Sequence, residues 1–168
     1  MLKTERFKKN PKRVVILGTS GIIASNLIRE IKKTNIKVLA IGRKEIDLKS
    51  KDAYRSLSNR INKSDTIVFI SAEAPVKNLM MLSNNLKICS NVFKALEKKK
   101  IRQLIYVSSD AVYSDIKKKI NEKSEILPTS LHGFMHMTRE KILKSKFEKI
   151  LCILRPTLIY GKGDTHNG

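Results

Sequence analysis

Aromatic side chains make up only 5% of this 168-residue chain. They are nowhere interleaved with basic residues, the pattern used to stack nucleic-acid bases. Cysteine is rarer still. Cys89 and Cys152 lie far apart without a CxxC spacing, and both read as buried free thiols. No stretch approaches the ~20 apolar residues that span a bilayer. The basic N-terminus MLKTERFKKNPKR leads into a short strand-like run, VVILG, and not into an apolar signal core. A soluble, cytoplasmic protein is expected. Acids are scarce against bases: Asp plus Glu number 15 and Lys plus Arg 35, for a formal charge of +20. Such a charge can mark a phosphate-bearing partner, nucleic acid or an anionic membrane. The lysines, however, fall as KK, KKK and single sites along the whole chain, as a Lys-, Asn- and Ile-rich composition would scatter them. Neither nucleic acid nor a membrane is therefore expected as a partner.

Hydrophobic residues form 41% of the chain, enough for one domain with a sizeable core. No internal repeat or low-complexity linker interrupts it. Residues 1–12 read as a basic arm, and residues 13–168 as one domain. Apolar runs alternate with amphipathic stretches, the signature of βαβ units. The pattern predicts strands at Val14–Leu17, Lys37–Ile41, Thr66–Ser71, Leu104–Val107 and Leu151–Leu154. Helices are predicted at Ile22–Lys33, Ala53–Asn62, Leu82–Lys98 and Gly133–Ser145, with a charged loop over 114–127. This alternation implies an α/β fold, a Rossmann-type doubly wound parallel sheet with right-handed crossovers.

Gly18-Thr-Ser-Gly21-Ile-Ile-Ala24 lies between the first strand and the first helix. Gly18 allows a tight exit from the strand. Gly21 lets a pyrophosphate approach the backbone, and Ala24 lets the helix press on the sheet. The N–H groups at the start of that helix, around Ser20, Gly21, Ile22 and Ile23, would face the phosphate. No Lys-Ser/Thr pair follows, which argues against a P-loop ATPase. In such folds the end of the second strand selects the cofactor: an acid there binds the ribose 2′-hydroxyl, a base the 2′-phosphate. Here Arg43 and Lys44 stand first and Glu45 only after them, which leans toward NADP over NAD.

Taken in order, these segments resemble the extended short-chain dehydrogenase/reductases, the NAD-dependent epimerase/dehydratases that act on nucleotide sugars. Gly18, Gly21 and Ala24 match the family's TGxxGxxG turn, with Ala for the last Gly. Asp47-Leu48 resembles the "D-L" that meets the adenine. Val68 to Ala72, ending in Ser71-Ala72, resembles the strand lying over the cofactor. Asn85 falls at the family's Asn. Tyr106 to Tyr113 resembles YxSSxxVYG, with Ser109 at the catalytic Ser/Thr position. Arg155-Pro156 through Tyr160-Gly161 to Gly163-Asp164 resembles RPxxxYGPGD. The resemblance implies a nucleotide sugar as small-molecule partner and leaves homodimerisation open.

The family's catalytic YxxxK is replaced here by His132-Gly-Phe-Met-His136, with Gly133 and Glu140 holding the register. A histidine can do acid–base work near neutral pH without a second group to lower its pKa. His132 beside Ser109 could replace the Tyr–Lys pair, with His136 directed at the nicotinamide ribose. Equally, both histidines could be remnants of a lost site or ordinary helix residues. Two His one turn apart, without HExxH or a third ligand, do not argue for a metal. The chain ends at Gly168 in what reads as a loop, so it is expected to be truncated, with most of a substrate domain lying beyond it. Two functions remain open: hydride transfer on a nucleotide sugar, and a non-catalytic NAD(P)-binding module.

Overall fold

Hydrogen-bonded strands and amphipathic helices alternate through the whole of the computed structural model, which describes residues 10–114 and 119–161. The basic arm up to residue 9, part of the charged loop and the Gly163-Asp164 end of the RPxxxYG segment lie outside the described residues. The strands are β1 (Arg13–Leu17), β2 (Lys37–Ile41), β3 (Thr66–Phe69), β4 (Gln103–Val107) and β5 (Leu151–Leu154). The helices are α1 (Ile22–Ile31), α2 (Ala53–Arg60), α3 (Leu79–Leu96) and α4 (Leu131–Phe147), with a single 3-10 turn at Asp110–Val112.

All pairings are parallel, in the order β2-β1-β3-β4-β5. The chain crosses from β1 to one side for β2 and returns past β1 for β3. Such a reversal opens a crevice beyond the C-terminal ends of β1 and β3, the usual ligand position in open α/β sheets. The predicted doubly wound sheet is present.

Side-chain alternation along β1 builds both layers. Val15 and Leu17 join a core of Ala53 and Leu57 from α2, Val92 and Leu96 from α3, and Leu143 and Phe147 from α4. Val14 and Ile16 point the other way and meet Ala24, Leu27, Ile28 and Ile31 of α1, with Val68. Ala24 is fully buried, so its small side chain does let α1 press on the sheet.

Helix ends differ from the sequence pattern where capping chemistry intervenes. Helix α3 starts three residues earlier than periodicity implies because the Asn78 side chain accepts the Met81 N–H at 2.9 Å. Helix α4 starts at Leu131 because Ser130 Oγ accepts the Gly133 N–H at 3.1 Å. Helix α1 stops at Ile31, whose carbonyl is taken by the Thr34 hydroxyl at 2.7 Å. Cys89 is buried and free, and burial pushes its thiol up to about 11. Cys152 is also free, but β5 is an edge strand and leaves it partly exposed, contrary to the expected burial. Among the described residues no helix is long and apolar enough to cross a membrane.

Candidate dinucleotide crevice and the HxxxH helix

The crevice begins at Gly18, where β1 ends. Gly18 has φ +98°, and a Cβ there would meet Ser71 N and Oγ at 2.8 Å. The ends of β1 and β3 therefore approach so closely that only glycine fits. Gly21, three residues on, differs: a Cβ would meet no protein atom within 4 Å. Gly21 is extended at the N-cap of α1, with no side chain capping the helix and no acid in its first turn. Among the described residues no side chain caps the first N–H groups of α1, and the space where a Gly21 side chain would begin is open. A pyrophosphate fits this cradle by charge and shape.

The neighbouring expected contacts take particular places. Arg43 and Lys44 are exposed at the end of β2, Arg43 lying 3.7 Å from Asp47. The Glu45 carboxylate turns back to accept the Gly42 N–H at 2.8 Å. Asp47 Oδ1 accepts the Lys49 N–H at 3.0 Å. Leu48 is buried, and its carbonyl is held by the Asn91 amide at 2.8 Å. Ala72 is exposed beyond β3. Asn85 is fully buried and spends its amide on the Glu73 N–H at 3.0 Å and on the Glu73 and Met81 carbonyls, both at 2.9 Å. It shapes the connection from β3 to α3.

The turn after Ser109 packs against α4 beyond β4. Gly133 makes this approach close, since a Cβ there would run into the Ala111 carbonyl. Ser109 Oγ caps the 3-10 turn, accepting the Ala111 N–H and donating to Asp110 Oδ1, both at 3.1 Å. His132 is half-buried, and its Nδ1 accepts the Val76 N–H at 3.4 Å. That acceptor role leaves the proton on Nε2. Burial, then the Arg139 charge, lowers the His132 pKa, and Asp110 opposes them. No direct Ser109–His132 hydrogen bond forms.

His136 departs from its expected orientation. It turns inward, with its ring buried and Nδ1 2.7 Å from the Tyr106 hydroxyl, and it does not face the crevice as a lysine would. The rings of His132 and His136 meet edge to face at 4.7 Å. Burial, His132 and Arg139 together lower the His136 pKa to about 3. A neutral imidazole pays little to enter the core where an ammonium would not, so the lysine's charge is lost here.

The cation nearest this pair is one that the motif reading passed over. Arg139 is fully buried, its guanidinium 5.1 Å from the Phe69 ring centroid. It donates to the Ser71 carbonyl at 2.9 Å and to the Asn85 carbonyl and side chain at 2.7 and 2.8 Å. It thereby ties α4 to the segment just after β3 and to the body of α3, directly behind the Gly18–Ser71 contact. Glu140, used above only as a register mark, accepts Ser108 Oγ at 2.7 Å and both arms of Arg155 at 2.9 and 2.7 Å. Periodicity could have flagged both residues, because they fall on the inward face of α4, where an unbroken apolar stripe would otherwise run.

The sequence model of the NAD dependent epimerase/dehydratase family matches residues 14–168. The chain belongs to this family. An N-acetyl-α-D-glucosaminyl-diphospho-ditrans,octacis-undecaprenol 4-epimerase of Escherichia coli O157:H7 is 27% identical over 92% of the chain and 51% of its own length. A dTDP-4-dehydrorhamnose reductase from Yersinia enterocolitica superposes with a TM-score of 0.81 at 21% identity, over 93% of this chain and 56% of that one. The Bacillus anthracis dTDP-4-dehydrorhamnose reductase, solved in complex with NADP, gives 0.78 at 22% identity, over 90% and 55%. The chain spans about half the length of the curated relatives it matches.

Proposed function

We propose that this chain is the dinucleotide-binding half of an epimerase, dehydratase or reductase that acts on a sugar carried by a nucleotide diphosphate. The open, uncapped N-terminus of α1 behind Gly21 carries this reading. A bound nicotinamide would accept or donate the hydride. Gly18, Gly21 and the first N–H groups of α1 would hold the diphosphate, and the ribose and adenine would lie along Arg43, Lys44, Asp47-Leu48 and Ser71-Ala72. Arg43 and Lys44 are exposed while Glu45 is engaged with the Gly42 N–H, which supports NADP(H) binding at least as well as NAD(H). Ser109 and the His132 Nε2–H would donate to the reacting sugar oxygen, the imidazole acting as a neutral electrophile and not as a charged acid.

A second reading has its own support. Ser109 caps its own turn and His136 is directed into the core, as in a module that binds the dinucleotide without turning a substrate over. Calorimetry of the 168-residue chain with NAD(H) and NADP(H) tests the part common to both. Gly21→Val should weaken cofactor binding at least tenfold while leaving the melting curve in place, because a Cβ at this position meets no atom of the described residues within 4 Å. Unchanged affinity would overturn the cofactor site. Within a complete protein, His132→Ala should lower turnover about a hundredfold if His132 serves the reacting oxygen.

A further inference from the structure

A parallel sheet sorts its connections. Strand-to-helix turns form the crevice, and helix-to-strand turns gather at the opposite pole. That pole is assembled from segments far apart in sequence, and backbone hydrogen bonds lay them side by side. The Lys37 N–H donates to the Lys12 carbonyl at 3.2 Å, the Ser64 N–H to the Lys100 carbonyl at 3.0 Å, and the Leu104 N–H to the Ile150 carbonyl at 3.0 Å.

Lysines crowd these segments. Lys12 leads into β1, and Lys32, Lys33 and Lys37 join α1 to β2. Lys63 precedes β3, and the run Lys98-Lys99-Lys100 precedes β4. Lys146 and Lys149 precede β5. All are exposed except Lys99, which is half-buried. The acids of this pole offset them only in part: Glu30 holds Lys33 at 2.8 Å, Asp65 is buried against Arg13 at 2.6 Å, and Glu97 and Glu148 stand beside Lys98 and Lys149 in the chain. The other lysines named pair with no acid among the described residues. At the crevice end several cations are paired with acids. Arg43 lies 3.7 Å from Asp47, Lys49 2.6 Å from Glu73, Arg55 3.7 Å from Asp52 and Arg155 2.7 Å from Glu140. Folding thus concentrates the net charge at one pole.

We propose that this lysine pole is a docking surface for an anionic phospholipid membrane. Its charges are compact ammonium groups and few guanidinium forks, which suits a field of headgroups better than base or phosphate readout along a duplex. Among the described residues it exposes no large aromatic or aliphatic side chain: Leu79, Met80, Phe134 and Tyr160 lie elsewhere, so none of the described residues here stacks on a base or wedges into a groove. One cavity lies at α1 and the 159–161 segment, and another, beside β5, reaches the pole only at Glu148 and Leu151. A broad array of lysines meets a planar surface by charge alone. Docked in this way, the crevice opens toward solution, where a soluble nucleotide-linked substrate would reach it.

The test is co-sedimentation of the 168-residue chain with vesicles of phosphatidylcholine alone or with about a third phosphatidylglycerol. Binding should require the anionic lipid and vanish at about 0.5 M NaCl, where the Debye length falls to a few ångströms. A lysine at such a surface contributes about fivefold, so the triple variant Lys98→Gln, Lys99→Gln, Lys100→Gln should lose about a hundredfold in partitioning. The control variant Lys51→Gln, Lys77→Gln, Lys123→Gln removes the same charge outside the pole and should lose less than tenfold. Equal losses from the two variants, or no binding to anionic vesicles, would overturn the proposal. Tighter binding of a mixed-sequence DNA duplex than of the vesicles, lost in the pole variant, would assign the pole to nucleic acid instead. A cofactor titration of the pole variant separates this result from the crevice reading, because the two ends share no residue.

Discussion

At the scale of single residues, replacing Tyr–Lys by His–His changes which charge states the site can hold. His136 is folded with its pKa lowered from 6.5 to about 3, chiefly by burial. Its unfolded form therefore binds a proton that the folded form refuses between those values. Stability from this group is intact above about pH 6.5 and falls as the pH drops toward 3, by about 1.4 kcal/mol per pH unit at most. Urea unfolding at pH 7, 5.5 and 4.5 should show a shallower acid loss for His136→Met than for the wild type. Parallel curves would mean that the imidazole is not buried as described. Arg43 decides a different matter. With Glu45 anchored on Gly42, Arg43→Glu should shift the cofactor balance at least tenfold toward NAD(H). Calorimetry with both cofactors reads the ratio, and an unmoved ratio would place the 2′-phosphate elsewhere.

At the scale of elements, the helices divide by how they begin. Helices α3 and α4 are capped by Asn78 and Ser130 and are closed to ligands at their first turns. Helix α1 has no side-chain cap and presents its dipole end to the crevice. Two glycines near these starts look alike in sequence and differ in purpose. Gly133 lets α4 touch the Ser109 turn at Ala111, whereas Gly21 faces open space. Gly133→Ala should therefore cost about 1–3 kcal/mol as backbone is forced apart, and Gly21→Ala should cost little. Denaturant midpoints for the two variants check this, and equal midpoints would contradict the close approach of α4 to that turn.

At the scale of the whole molecule, a charge of +20 acts through its placement. Like charges crowded at the lysine pole repel one another in the folded state, and salt screens that repulsion. The melting temperature should rise by a few degrees between about 20 and 200 mM NaCl. The Lys98→Gln, Lys99→Gln, Lys100→Gln variant should start higher and gain less. Thermal melts across the salt series measure both effects, and a flat response in the wild type would mean that the charges are dispersed.

The order and type of every strand and helix were legible in the sequence. An apolar run of four or five residues and an amphipathic stretch of ten or more are local periodicities, set by neighbours along the chain. The glycine turn was legible for the same reason, because strand, Gly18, Gly21 and helix follow one another within a dozen residues. Helix ends shifted where one side chain, Asn78 or Ser130, decided the cap. Tertiary structure alone decided how the HxxxH pair is used, since the direction of His136 depends on Tyr106, thirty residues away and on another element. It also placed Arg139, whose partners Ser71 and Asn85 come from the segment after β3 and from within α3. The lysine pole is the widest case. Residues scattered singly through the sequence become neighbours because a parallel sheet begins all its strands at one end, and no periodicity along the chain records which end a residue will reach.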